Sequence, residues 1–199
     1  MEFQEIVAQR YAAKKYDGRP LPQEKIDQLI ELIRLAPSAL NLQPWKIKIV
    51  SDPAVKELLA AATENQEMAA SASHILVFCA NTDIAPLIEK VSAAMTAAGV
   101  PEEIRHHVLE LANGVNARLS LEQKKEWATR QVYLALSNAV NGAKALGFDS
   151  CPVTSFEPEE FARILDIPPH LHPVIICHLG YAAHPAKPKL RFPVEDIVF

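Results

Sequence analysis

Two clusters of basic side chains near opposite ends of the 199-residue chain are the first candidates for a binding site. They comprise Arg10, Lys14 and Lys15 near the amino terminus and Lys187, Lys189 and Arg191 near the carboxyl terminus. Taken separately, each cluster is most simply a solvated surface patch. Taken together, the planar forks of arginine and the point charges of lysine would suit a terminal phosphate. Sequence distance does not oppose their convergence, and periodicity does not prove it.

A polar turn within APSALNLQPWKIKIV, residues 36–50, is the second candidate. The turn follows a predicted helix that ends at Pro37 and leads into a predicted strand at Trp45. Between these two residues stand the short polar side chains of Ser38 and Asn41. Two interpretations are open at this point: a plain helix–turn–strand connector with a core tryptophan, or a loop that offers polar side chains to a ligand.

Motifs for other kinds of chemistry are absent from the sequence. It contains no glycine-rich phosphate loop, no GxSxG, no HExxH and no CxxC, and only 6 glycines are available for such loops. The adjacent or alternate histidines are His106, His107, His170 and His172. Because such histidines are usually solvated, the sequence predicts no metal site. No carboxylate pair stands out either, so any enzymatic chemistry would come from a bound cofactor.

Composition and charge are those of an ordinary globular domain. Hydrophobic residues make up 49% of the chain, and the net charge of -4 gives no basic excess for nucleic acid. The sequence contains neither a signal-like apolar core nor a run of about 20 apolar residues, so we expect a cytoplasmic protein without membrane contact. Cys79, Cys151 and Cys177 are widely spaced, two of them in apolar runs, which predicts buried, reduced thiols.

Hydrophobic periodicity predicts the elements that must position these residues. Helices are predicted over 2–13, 23–36, 53–62, 84–98, 102–112, 121–146 and 157–165. Strands are predicted over 46–50, 74–80, 150–153 and 173–180, and residues 191–199 are predicted to be extended. Helices outnumber strands, which predicts an α+β or three-layer domain.

The longest predicted helix, at 121–146, is apolar on nearly all sides. Such a helix is buried either in a large core or between subunits. Gly147 suits the position just beyond its end.

Four segments of the chain resemble the FMN-dependent nitroreductase family, in that family's order. They are RYAAKKYDG (10–18), APSALNLQPWKIKIV (36–50), EWATRQVYLALSNAVNGAKALGFDSCPVTSF (126–156) and PKLRFP (188–193). The second is similar to the family's Pro-Ser-x-x-Asn-x-Gln-Pro-Trp and is the most specific of the four. Because it recurs together with the other three, the ligand-binding interpretation of the polar turn is favoured over the plain connector.

The resemblance implies an α+β, three-layer fold with a central mixed sheet flanked by helices, assembled as an intertwined homodimer. Residues 1–199 would form a single domain, with a C-terminal extension at about 185–199 packing on the partner subunit. It also implies two FMN sites at the subunit interface and NADH or NADPH as electron donor. The implied reaction is ping-pong reduction of nitroaromatic, quinone or similar electron-poor acceptors. A long helix that is apolar on several faces suits such an interface.

The resemblance also assigns the cofactor-binding residues. They are Arg10, Tyr11, Ala12 and Lys14 in the first segment, Pro37, Ser38, Ala39 and Asn41 in the second, Asn65 between segments, Gln131, Thr154 and Ser155 in the third, and Lys189 and Arg191 in the fourth. Arg10, Lys189 and Arg191 match residues around the FMN phosphate. Lys14 matches a residue at the pyrimidine edge that tunes the flavin, and no side chain is assigned as a general acid or base.

The remaining matched residues would surround the flavin ring. The polar turn would reach the cofactor of the other subunit, and Asn65 matches a residue that hydrogen-bonds the ring. Thr154 and Ser155 match the place where a backbone N–H faces flavin N5. Gln131 and Tyr133 lie on the long helix beside the site.

Three positions depart from the family's pattern. Ala12 stands where the family often has a hydroxyl, so one hydrogen bond to the phosphate or ribityl chain would be missing. Met68 stands where some members carry a second lysine, which leaves Lys14 alone to stabilise negative charge at N1 and C2=O. We therefore expect a lower flavin reduction potential than in two-lysine relatives. Thr154 replaces an acidic residue of some relatives, with little effect if the backbone makes the contact.

Two alternatives to this function stay open. One is an FMN-binding protein of the same fold that performs dehalogenation or flavin breakdown, or no turnover. Residues 99–120, where the family varies its lid, would distinguish this alternative from the nitroreductase function. The sequence of these residues does not indicate which of the two applies. The other is a cofactor-free structural or interaction protein whose basic clusters are surface features.

Overall fold

The computed structural model describes residues 1–64 and 66–199, in which helices surround a four-stranded sheet. The helices are α1 (Phe3–Gln9), α2 (Gln23–Arg34), α3 (Pro53–Ala61), α4 (Gln66–Ser71), α5 (Ala85–Ala97), α6 (Glu102–Arg118), α7 (Leu121–Ala145) and α8 (Pro158–Ile164). The strands are β1 (Trp45–Val50), β2 (His74–Asn81), β3 (Asp149–Val153) and β4 (Leu171–Gly180). Short 3-10 turns occupy Ala39–Asn41 and Val194–Asp196. Helix α4 was missed by periodicity because it is short and presents no repeating apolar face.

The sheet has the strand order β1-β2-β4-β3, and each neighbouring pair is antiparallel. This corrects the expectation of a mixed sheet. Within the described residues, parallel pairing is confined to an isolated bridge between Ala12 and Ser150. The connections explain the strand directions, because α3 and α4 pack together and return the chain to the end of the sheet that it left. Val50, at the end of β1, therefore pairs with Ile75 at the start of β2.

Helices cover both faces of the sheet. On one face, Phe78 and Cys177 pack in a cluster with α2 and α7. On the other face, Val77 and Ile176 pack in a cluster with α3, α4 and α8. Successive residues of a strand point to opposite faces, so the two central strands contribute to both clusters. This arrangement confirms the predicted three-layer α+β fold.

Helix α7 forms one wall of the core, and local signals set its ends. Ser120 Oγ accepts a hydrogen bond from Gln123 N at 3.3 Å, and Gln123 Oε1 accepts one from Ser120 N at 2.9 Å. This reciprocal capping box satisfies backbone donors that the first turn leaves unpaired. At the other end, Gly147 has a φ of +83°, which confirms its predicted role as the residue that ends the helix.

The first helix is shorter than the predicted 2–13. It ends at Gln9, and Arg10 has extended backbone angles of φ −61° and ψ 133°. The reason is tertiary: the following residues run beside β3, where Ala13 N donates to Ser150 O at 3.2 Å. Residues 10–15 are therefore held along the edge of the sheet and not in a helix.

The end of the chain leaves the core. Beyond β4, the apolar side chains of Leu190 and Phe192 are 84% and 81% exposed. The predicted extended segment 191–199 contains the 3-10 turn Val194–Asp196.

The three cysteines are free and buried, as predicted. Across residues 1–64 and 66–199, none of the helices combines the length and apolar character needed to span a bilayer.

Candidate functional site

The N-terminal segment 10–16 and the chain after β4 are joined by hydrogen bonds of the backbone and of one tyrosine side chain. Tyr16 and Ala182 form an isolated antiparallel bridge, and Ala183 N donates to Lys15 O at 3.0 Å. Tyr11 Oη donates to His184 O at 3.0 Å. These bonds bring residues that lie more than half the chain apart in sequence into one wall.

A cavity of about 590 Å³ lies between the two segments. It is lined by Arg10, Tyr11, Ala12, Ala13, Lys14, Lys15, Ala182, His184, Pro185, Lys187, Pro188, Lys189, Leu190 and Arg191. Six of the predicted site residues lie here together: Arg10, Tyr11, Ala12, Lys14, Lys189 and Arg191. Both basic clusters of the sequence thus converge on one space.

The lining also includes Lys15 and Lys187, which the resemblance did not assign to the cofactor, and His184, which was not predicted. Lys15 and Lys187 belong to the two basic clusters, so their charge was a usable signal. His184 had none, because its place depends on the hydrogen bond that its carbonyl accepts from Tyr11.

The cavity is strongly cationic. Within the described residues no carboxylate lines it; two carboxylates bond to lining residues from outside, Glu67 to Lys15 Nζ at 2.5 Å and Asp149 to Ala182 N at 3.2 Å. Lys189 Nζ and Arg191 Nη1 donate to the backbone carbonyls of Val7 and Leu190. Carbonyl partners leave the formal charges uncompensated, so the cavity attracts anions.

The pKa of Lys189 is affected by the neighbouring positive charges. Desolvation, followed by the positive charges of Arg10 and Arg191, lowers the pKa of its ammonium. A bound anion would relieve the repulsion between these three side chains, which is the expected property of a phosphate site.

Lys14 turns toward the sheet at the edge of the cavity. Its Nζ donates to Cys151 Sγ at 3.4 Å, and burial raises the pKa of that thiol. Cys151 pairs across the sheet with His178, whose side chain is fully buried and whose ring nitrogens make no hydrogen bond within the described residues. Burial lowers the pKa of His178 to about 4, so the ring is neutral near pH 7.

The polar turn lies apart from this cavity. None of the predicted residues Pro37, Ser38, Ala39 and Asn41 lines it. The role of the turn at the cofactor of another subunit therefore stays a prediction. Ala39 N donates to Gln131 Oε1 at 2.9 Å, so the predicted residue on α7 is found at the turn and not in the cavity.

The turn is strained. Leu40, Asn41 and Gln43 have positive φ values of 54°, 53° and 46°. Each such residue costs about 1–3 kcal/mol and persists only where its surroundings enforce it. Ser38 Oγ helps by accepting a hydrogen bond from Gln43 N at 2.9 Å.

The other predicted positions are dispersed. Thr154 and Ser155 follow β3, where Ser155 O accepts a hydrogen bond from Thr63 Oγ1 at 2.9 Å. Asn65 lies outside the described residues. Met68, a residue of α4, is 3% exposed and packs into the core, and it does not line the cavity.

A shallow groove of about 370 Å³ adjoins the cavity and shares Arg10 with it. Its other lining residues are Val7, Tyr133, Leu136, Ser137, Val140, Asn141 and Pro152. Most of them belong to α7, so the long helix presents part of its apolar surface to the outside beside the cationic cavity.

Comparison with known proteins gives consistent matches over almost the whole chain. The profile of the nitroreductase family matches residues 7–181. A "NADH dehydrogenase" of Thermus thermophilus is 32% identical over 191 residues, covering 95% of this chain and 91% of that protein. An "oxygen-insensitive NAD(P)H nitroreductase" of Salmonella typhimurium is 30% identical over 176 residues, covering 80% and 78%.

The fold has close counterparts among solved structures. A provisionally named NAD(P)H:FMN oxidoreductase of Staphylococcus epidermidis superimposes with a TM-score of 0.91 at 26% identity, covering 98% of this chain and 94% of that chain. Since the family profile spans most of the sequence and the relatives align nearly end to end, the chain belongs to the nitroreductase family.

Proposed function

We propose that this protein is an FMN-dependent oxidoreductase that uses NADH or NADPH to reduce nitroaromatic, quinone or similar electron-poor acceptors by a ping-pong mechanism. The observation that carries the proposal is the convergence of Arg10, Lys14, Lys189 and Arg191 on one cavity. The names of the Thermus, Salmonella and Staphylococcus relatives support the choice of nicotinamide donor and flavin.

The residues present fit FMN. A cavity of about 590 Å³ falls in the range of about 300–1,000 Å³ typical of cofactor and small-molecule sites. Arg10, Lys189 and Arg191 would hold the phosphate, with guanidinium forks able to bind its oxygens in pairs. Ala12 offers no hydroxyl, so these three cations carry the phosphate contacts in the N- and C-terminal segments.

Lys14 would lie at the pyrimidine edge of the ring. Bound FMN would supply two-electron chemistry, taking reducing equivalents from the nicotinamide and giving them to the acceptor. The Lys14 ammonium favours negative charge near it. Its partner Cys151 stays a neutral thiol because burial raises the thiol pKa, so the positive charge is not cancelled.

The polar turn and the exposed chain end support a homodimer. Ser38 and Asn41 would contact the cofactor held by the partner subunit, whose own cavity supplies the phosphate site. The extension at about 185–199 would pack on the partner, which would cover Leu190 and Phe192. The groove along α7 beside Arg10 would be covered in the same assembly.

One experiment tests the proposal directly. The purified protein is examined by absorption spectroscopy before and after anaerobic addition of NADH or NADPH, and then after addition of a quinone or nitroaromatic. We expect a flavin spectrum that the nicotinamide bleaches and the acceptor restores, in a particle of twice the chain mass by light scattering. A protein that carries no flavin absorbance after incubation with FMN and removal of unbound FMN by gel filtration would refute the proposal. A flavin that neither nicotinamide bleaches would point to a different flavin function.

A further inference from the structure

The polar turn adopts a backbone that its own residues do not favour. Leu40, Asn41 and Gln43 all have φ between 46° and 54°, in the left-handed region. Asparagine tolerates this region, but for a bulky residue such as Leu40 it is an outlier. Contacts from outside the turn must therefore keep it in place.

A side chain from α7 makes such a contact. Gln131 Oε1 accepts a hydrogen bond from the Ala39 backbone N–H at 2.9 Å. Ala39 immediately follows Ser38 and begins the 3-10 turn, so this bond fixes the point at which the chain changes direction. The neighbours of Gln131 on the helix, Ala128 and Val132, are fully buried, which anchors its backbone in the core.

The turn also packs on an apolar cluster. Leu42 is 2% exposed and packs with Leu87 of α5 and Ala112 of α6, with Leu40 and Trp127 against the same cluster. Trp127 stands one turn before Gln131 on α7, so both side chains lie on the same side of that helix. The α5–α6 hairpin thus acts as a backing for the turn.

We propose that Gln131 is a positioning residue that holds the polar turn, and through it Ser38 and Asn41, in the conformation that receives the cofactor of the partner subunit. The inference rests on the proposed function for the identity of that cofactor. It changes the role of Gln131 from the one that the resemblance implied: the amide oxygen is engaged by Ala39 N–H, so Gln131 acts through the turn.

The test uses the full-length protein and the variants Gln131→Ala and Gln131→Glu. Glutamate keeps an oxygen acceptor at the same reach, whereas alanine removes it. Gln28→Ala truncates a matched exposed glutamine on α2, which bonds Glu24 on its own helix, and serves as the control. Amide hydrogen exchange of Ala39 is measured by NMR on flavin-free protein, and the dissociation constant of FMN is measured by fluorescence titration.

We expect Ala39 exchange to be about tenfold faster in Gln131→Ala, since one hydrogen bond is lost, and FMN to bind about tenfold more weakly. Gln131→Glu should restore the slow exchange, and Gln28→Ala should match the wild type in both measurements. Unchanged exchange of Ala39 in Gln131→Ala would overturn the inference, as would faster exchange with unchanged FMN affinity. Failure of the wild type to bind FMN would refute the proposed function itself, and the exchange measurement distinguishes the two because it needs no cofactor.

Discussion

The Lys14 ammonium and the Cys151 thiol form a hydrogen bond, with 3.4 Å between Nζ and Sγ. The thiol is a weak and neutral acceptor, so it orients the ammonium without cancelling its charge. Met68, where the resemblance implied a second lysine in some relatives, is uncharged and lies in the core, so it adds no cation to the cavity. Under the proposed function, Lys14 is the cation that we expect to tune the flavin ring.

Removal of the Lys14 charge should lower the reduction potential of bound FMN. We expect Lys14→Gln to shift the midpoint downward by on the order of tens of millivolts, since an unshielded cation favours the anionic reduced flavin. The measurement is a spectroscopic redox titration with a reference dye. Lys48→Gln, on the exposed side of β1, is the control and should leave the midpoint unchanged. An equal or higher midpoint in Lys14→Gln would contradict the assigned role.

The phosphate assignment predicts a difference between FMN and riboflavin. Arg191→Ala should raise the dissociation constant of FMN by about ten- to a hundredfold, the typical effect of losing hydrogen bonds to a charged group. Riboflavin lacks the phosphate, so its affinity should hardly change. Both constants can be measured by quenching of flavin fluorescence, with Arg118→Ala on α6 as a matched arginine control. Equal losses for the two flavins would show that Arg191 acts elsewhere than at the phosphate.

The buried imidazole of His178 predicts a loss of stability in acid. Burial lowers the pKa of His178 from 6.5 to about 4. Between these two pH values the imidazole is protonated in the unfolded chain and neutral in the folded protein. Stability should therefore fall as the pH decreases from about 6.5 to about 4, by about 3 kcal/mol from this group. Urea unfolding at a series of pH values measures the slope. His178→Leu removes the titrating group, so the slope in this window should become shallower, and an unchanged slope would assign the acid sensitivity to other groups.

The close approach of Gly180 to Tyr16 predicts a strong effect of one methyl group. A Cβ at Gly180 would lie 2.7 Å from Tyr16 Cδ1 and 3.0 Å from Cγ. The Tyr16 ring is held by its hydrogen bond to His178 O, so it has little room to move. We expect Gly180→Ala to destabilise the fold by about 1–3 kcal/mol. FMN affinity should fall too, because Tyr16 bridges Ala182 at the base of the cavity.

Gly114→Ala provides the matched control for this prediction. Gly114 lies within α6 with no atom within 4 Å of an added Cβ. Alanine there should stabilise the helix by about 0.5–1 kcal/mol. Thermal unfolding of both variants gives the comparison, and a Gly180→Ala protein as stable as the wild type would show that Tyr16 yields easily.

The features that the sequence predicted well are those set by local signals. Apolar periodicity predicts helix α7, and the glycine at position 147 predicts where it ends. The positive φ of Gly147 in the structure agrees with that prediction. The buried strands β2 and β4 follow from continuous apolar runs. In each case the residues that decide the structure lie within a few positions of the feature that they specify.

Features decided by distant contacts were harder to predict. The early end of α1 depends on the pairing of Ala12 and Ala13 with Ser150, residues separated by most of the chain. The antiparallel sheet depends on how α3 and α4 return the chain. The hydrogen bond between Ala39 and Gln131 joins the polar turn to helix α7, and the local sequence of neither element indicates this contact. The residue pattern allowed the two basic clusters to converge but did not require it. The family resemblance was needed to predict that Arg10, Lys189 and Arg191 lie together.

The walls of the cationic cavity come from two segments, 10–15 and 182–191, that are separated in sequence by most of the core elements. A polypeptide is synthesised from its amino terminus, so the strands β1 to β4 and helix α7 are made before Lys189 and Arg191. We therefore expect the core elements to be available for folding before the anion site can be completed. Proteolytic removal of Lys189 and Arg191 would leave these core elements in place and take two cations from the cavity.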